Sequence, residues 1–507
     1  MSGMHAATHR RSGDPQPVPP SAGRPNARTT VTRLLCVGAH VDPAFANAVV
    51  KECIGEVADT DRFVAPSYGY DVLPVLGHAL IARNRRRYRR TAILISPFVP
   101  VLLSFLGMTA TIIGIALWLW ATWAAVFLER LITLHTLVAH LVVPAPEGGR
   151  HGFDGRIPDH AALTQIECDR INREQDGSSG LVYYSGYRPF VGAGTWQTSS
   201  AFPILLNRAN DGILPPMDDR RSPGRAEVAP FTTAEIMGYI QRRLTAVLQA
   251  EEWEGQRIEE LEIARRWYRT AIGRVRPVSP KDAPLPTEQG VEHYDAAREY
   301  LCVRVGSWDQ EVVASVFVNL DVRGRTLYTE THRYELRPIK AAYHEVDRLP
   351  TAISPSDVRL VAAKAVVQMA GEAIGAAVTI CTFPYHLLLR ALSRNRPVSP
   401  RDQNEFGAEF PARRADVLDY GARRSVREIG QAPGAHHFFQ DMDVKKYGDI
   451  VQKRVSELVI DFLEERNLDT GEYRARQATI LNQGIIQTGS GRIVNTGRLA
   501  VGENASA

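Results

Sequence analysis

Cysteine is scarce: Cys36, Cys53, Cys168, Cys302 and Cys381 are scattered over 507 residues with no paired spacing. That excludes a disulfide-stapled scaffold and the clustered ligands of a structural zinc site. Residues 1–30 have no apolar core, so no secretory leader is expected there. Basic excess is also missing from most of the chain. The net charge is +4 while residues 1–90 carry +6, so the remainder is slightly acidic and offers no nucleic-acid surface. No catalytic or ligand motif stands above background, and no metal or cofactor is signalled. The largest absence is local: Thr91–Phe127 holds 37 residues without one Asp, Glu, Lys, Arg or His.

An uncharged apolar run of that length reads as membrane-embedded, because only lipid tolerates so much apolar surface with no polar face. As one straight helix it would be about 55 Å long, against a hydrocarbon core of about 30 Å. Two spans with a turn at Gly107–Thr111 fit better, with Pro97 and Pro100 bending the first and Trp118, Trp120 and Trp123 toward the end of the second. Arg83, Arg85, Arg86, Arg87, Arg89 and Arg90 precede the run and set topology by the positive-inside rule. A hairpin then puts both termini in the cytoplasm, in a multi-pass protein of the cell membrane. Two short spans without an internal ionisable residue give no transport pathway.

The remaining chain reads as α+β. Residues 1–30, rich in Pro, Gly, Ser and Arg, form a disordered tail. Residues 31–90 form a small α+β unit: a strand over Val31–Val41, a helix over Pro43–Glu56 capped by Asp42, an extended Phe63–Pro66, and a helix from Asp71 into the arginines. The hairpin occupies 91–128, and an interfacial helix and linker follow over 129–149. A larger α+β domain spans 150–400. Within it, Leu181–Leu206 reads as strand, Gly-rich loop and strand, and Thr232-Thr-Ala-Glu235 opens a helix. Residues 251–272 fit a helix or a strand. Tyr300–Val305, Glu311–Val322 and Arg325–Leu336 read as strands, the last two joined at Arg323-Gly324. Ser356–Leu392, interrupted by Lys364, Gln368 and Glu372, is a long amphipathic helix breaking near Pro384. A helical segment covers 401–478, with Asp443 as the N-cap of a helix to Glu465. Ile480–Gly502, alternating short apolar pieces with Gly/Asn turns, reads as a β tail within 479–507 able to pair with other copies.

One loop offers chemistry. In Ser185–Gly194, backbone N–H groups around Gly186, Gly192 and Gly194, with Arg188 beside them, suit an anion. The loop lacks a Gly-Lys-Ser/Thr ending and the dinucleotide glycine spacing, and Ser185 has no Gly-x-Ser-x-Gly context. His436, His437, Asp441 and Asp443 gather in sequence without a signalled partner elsewhere.

The Arg33–Ala39 and Val64–Val72 segments, the arginine-flanked hairpin, Val182–Gly194 and the closing Thr479–Gly502 together resemble a family of uncharacterised actinobacterial two-span membrane proteins with a large cytoplasmic domain. The resemblance implies that architecture and no activity. Two functions are therefore expected. One is a non-enzymatic membrane-anchored scaffold, with the bilayer, a cytoplasmic protein and tail-mediated self-association as partners. The other is a membrane-bound sensor or enzyme binding an anionic ligand at the 185–194 loop.

Overall fold

The uncharged run is divided between three helices in the computed structural model, which describes residues 26–55, 62–142, 152–177, 180–208, 231–249, 258, 260–273, 275–286, 297–350, 352–393 and 418–486. Helix α3 (Val72–Ile95) starts where the Asp71 carboxylate accepts the Leu73 N–H at 3.0 Å, and it carries the arginines. It stops at Ser96-Pro97, because proline has no N–H to continue the ladder. A seven-residue helix, α4 (Phe98–Ser104), follows, and the chain reverses at Gly107, whose φ of 115° is closed to L side chains. Helix α5 (Met108–His140) then packs back along α4. A Cβ on Gly114 would sit 2.7 Å from Pro100 Cα, so only glycine permits that approach. The turn thus falls at the expected place, and the two arms are unequal. Among the described residues α5 alone is long and apolar enough to cross a membrane, since the prolines cut the first arm short. Large apolar side chains at the turn are exposed, Phe105 at 84%. Among the described residues the expected interfacial helix is the end of α5, which continues unbroken through Glu129 to His140.

Helix α8 (Pro355–Ser393) lies against α3 and α5 and runs without interruption through Pro384; a proline inside a long helix costs one hydrogen bond, and the neighbouring turns carry it through. Side chains of opposite charge meet between these helices. Arg89 reaches Glu129 at 2.8 Å and Glu372 at 3.0 Å, and Arg130 donates to Gln368 at 2.6 Å. Arg86 donates to the carbonyls of Ala39 and His40. Helical spacing therefore points Arg86 and Arg89 inward and leaves Arg87 and Arg90 exposed, so the arginine cluster is partly structural.

The expected strand over 31–41 is a helix, α1 (Thr30–Val41), capped by Thr29. Residues 31–40 are buried on every side, Thr32, Arg33 and His40 included, and such a run has no clear period to separate strand from helix. Residues 26–29 are ordered against it, within the stretch expected to be disordered; 1–25 lie outside the described residues. Helix α2 (Pro43–Cys53) begins on Asp42 as expected. Helices α1, α2 and α3 share one core with α6 (Gln165–Gln175) and a 3₁₀ helix (Ala341–Arg348), so residues far along the chain complete the N-terminal unit.

The centre is a six-stranded sheet in the order β1-β3-β5-β6-β7-β2, with β1 (Leu181–Tyr184), β2 (Thr195–Leu205), β3 (Leu261–Thr270), β5 (Arg298–Ser307), β6 (Val312–Arg323) and β7 (Thr326–Leu336). A two-residue strand, β4 (Ile272–Gly273), pairs separately with β8 (Leu418–Asp419). Strand β1 runs parallel to β3 and the other neighbours are antiparallel. The ambiguous 251–272 stretch thus contains a strand, and Val312–Val318 is buried at the sheet centre as its composition requires. One face, with Leu301, Val303, Val316 and Val318, is covered by α7 (Thr233–Gln249) and α10 (Phe438–Glu465). Helix α10 starts five residues before Asp443, where the Gln440 side chain accepts the His436 and His437 N–H groups; Asp443 instead accepts the Trp308 indole N–H at 3.0 Å. The start of the expected β tail is helical, in α11 (Gly471–Ile486), with Tyr473 buried against Phe202. The tail beyond Ile486, and with it the self-pairing expectation, lies outside the described residues.

Candidate functional site

The opposite sheet face is aromatic. Tyr268, Tyr300, Phe317 and Tyr334 project from β3, β5, β6 and β7, and Phe190 of the 185–194 loop inserts among them. Its ring stacks on Phe317 at 4.1 Å and meets Tyr300 edge-on at 4.9 Å. Aromatic packing of this kind, favourable beyond its buried area, fastens the loop to the sheet.

The loop's glycines have two roles. Gly192 and Gly194 hold φ of 88° and 91°, and both N–H groups donate to Glu428 Oε1 at 3.0 Å. Glu428 lies in the first turn of α9 (Val426–Gly430), where its other oxygen accepts the Ser425 N–H at 2.7 Å. The anion in the glycine turn is therefore the protein's own carboxylate; burial raises its pKa against the pull of these hydrogen bonds. A Cβ on Gly194 would sit 2.1 Å from Glu335 O, so the loop closes on the sheet only with glycine there. Gly186 and Arg188 face elsewhere, onto the mouth of a cavity of about 1570 Å³.

That cavity lies between the loop, the aromatic face and the segment around Arg423 and α9. Four guanidinium groups line it, from Arg188, Arg298, Arg423 and Arg424, against the carboxylates of Glu330 and Glu428. Tyr187, exposed at 92%, and Trp196 offer open ring faces at its rim. On the β2–β7 wall, His332 Nε2 lies 2.6 Å from Glu330 Oε1 and His332 Nδ1 lies 2.7 Å from Ser199 Oγ. The Trp196 indole N–H donates to the same Ser199 Oγ at 2.8 Å. The His332 hydrogen bond holds the Glu330 carboxyl below its ordinary value, while burial pushes the Tyr300 hydroxyl up.

Of the four residues singled out from the sequence, Gly186, Arg188 and Gly194 line the cavity while Gly192 and Gly194 hold Glu428; Ser199, Glu330 and His332 were not singled out. Glu330 and His332 alternate along β7, so their shared face was readable. Their serine comes from a strand 133 residues away, without a local motif. The His436–Asp443 group disperses: His436 Nε2 donates to Ile339 O at 2.6 Å and Asp443 turns to Trp308.

A family model described as an AbeC-like domain matches residues 199–495. No curated protein and no solved structure matches the chain.

Proposed function

The chain belongs to the AbeC-like domain family, and from that premise we propose a membrane-associated protein that binds an anionic ligand carrying a flat ring. The observation behind this reading is the cavity lining: four arginines and exposed ring faces converge on one space large enough for a nucleotide-sized molecule. Arginine suits such a ligand because its planar fork pairs with phosphate or carboxylate, and tyrosine and tryptophan faces stack on flat rings.

The test is calorimetry on the full-length protein in lipid nanodiscs, with AMP as probe and adenosine and inorganic phosphate as controls. AMP is expected to saturate, and each half-ligand to bind more weakly. Arg188→Ala and Arg424→Ala should each weaken AMP about tenfold, the worth of one charge-assisted hydrogen bond, without lowering the melting temperature. Absent AMP binding, or affinity unchanged in both variants, would sink the reading.

We also propose that α3–α4 and α5 enter the bilayer as a hairpin, which places the cavity on the cytoplasmic side. Support comes from the reversal at Gly107 and the exposed apolar side chains around it. Tyr187→Cys, in a Cys381→Ser background, should resist an impermeant maleimide in intact cells and react after lysis. Labelling in intact cells would reverse the topology.

A further inference from the structure

We infer that Ser199, His332 and Glu330 form a nucleophile, base and carboxylate relay that cleaves carboxylic esters at the edge of the cavity. The inference rests on the ligand pocket proposed above. The geometry starts with a β-bulge. Pairing of β2 with β7 shifts between Trp196 and Thr198, so Trp196 stands opposite Tyr334 while Ser199 stands opposite His332. Strict alternation would have put Trp196 and Thr198 on one face; the extra residue gives that place to Ser199.

The hydrogen-bond directions then follow. The Glu330 carboxylate only accepts, so the hydrogen of the neutral imidazole is on Nε2, and Nδ1 accepts from Ser199 Oγ, which itself accepts the Trp196 indole N–H. This tautomer lets His332 take the serine proton, and the carboxylate stabilises the imidazolium that results. The His332 ring is held against Phe190 at 5.2 Å and Tyr300 at 6.0 Å between centroids. Ser199 is exposed, on the outermost strand of the sheet, so a substrate can reach it.

The substrate class is a carboxylic ester with a flat or anionic portion in the cavity. Ser199 Oγ bonds to the acyl carbon as its proton passes to His332 Nδ1. Collapse breaks the acyl–oxygen bond, and the leaving alcohol takes that proton. Water, deprotonated by His332, then releases the acyl group as a carboxylic acid and restores the serine.

The test treats the full-length protein in nanodiscs with a fluorophosphonate probe, in which an Oγ–P bond forms as fluoride leaves, and maps the adduct by peptide mass spectrometry. One adduct on Ser199 is expected, absent in Ser199→Ala and His332→Gln. Glu330→Gln, which tests Glu330 as a positioning residue, should slow labelling at least about tenfold with melting temperature unchanged. Hydrolysis of p-nitrophenyl acetate should fall about 100-fold in Ser199→Ala. An unmodified Ser199 under excess probe, or equal hydrolysis by Ser199→Ala, overturns the relay. If AMP still binds in that case, the pocket reading survives alone. Labelled Ser199 without AMP binding leaves the relay and removes the anion.

Discussion

Glu129→Leu is expected to lower the unfolding free energy by about 3–5 kcal/mol, the usual cost of removing one member of a buried ion pair. Glu129 sits where α3, α5 and α8 meet, with its side chain 10% exposed and that of Arg89 11% exposed. Its carboxylate faces Arg89 at 2.8 Å and Arg86 at 4.0 Å. Leucine leaves Arg89 with Glu372 alone, whose side chain is 27% exposed and shares its charge with solvent. Desolvated charge, more than the lost contact, makes the change severe. The double variant Arg89→Leu/Glu129→Leu should therefore recover most of the loss, since apolar side chains pack where the ions stood. Thermal unfolding of wild type, both single variants and the double variant in one detergent closes the cycle. Simple additivity would mean that the pair carries no coupling.

Arg427→Met should cost about 3 kcal/mol by a different route. Arg427 has no exposed surface, and it donates to Tyr68 O at 3.0 Å and to Gln310 O. Gln310 closes the turn between β5 and β6, where Trp308, Asp309 and Gln310 all hold positive φ of 54°, 55° and 63°. Consecutive non-glycine residues in that region are held by surrounding contacts, and this guanidinium is one of them. Methionine leaves two carbonyls unpaired at about 1–3 kcal/mol each. Part of that is returned, because burying the charge is itself unfavourable; burial brings the Arg427 pKa down to about 10. Arg427→Lys should fall between, since an ammonium lacks the fork that spans both carbonyls. An unfolding midpoint unchanged in the methionine variant would show that the turn holds itself.

Local pattern explains what was legible. β-Branched and aromatic residues along Glu311–Leu336 marked β6 and β7, and the Gly324 turn set their pairing. Thr232 opened α7 because its hydroxyl accepts the Glu235 N–H at 3.3 Å, an interaction within one turn. The charge-free run determined the apolar helix α5, which is long and apolar enough to cross a membrane. The tight turns of the 185–194 loop were also legible, because the positive φ they need resides in glycine backbone.

Tertiary packing decided the rest. Whether Val31–Val41 was helix or strand depended on neighbours around nearly all its sides, which bury even Thr32, Arg33 and His40 and leave no clear period. That the anion in the loop is Glu428 depended on a residue more than 230 positions away. The pairing of Ser199 with His332 depended on one inserted residue in an edge strand. The sequence by itself determined which faces must be buried and where the chain must turn, because those follow from solvation and backbone sterics residue by residue. Which polar groups meet was decided only by the paired sheet and the helices over it, because a hydrogen bond is local in space and leaves no period along the chain.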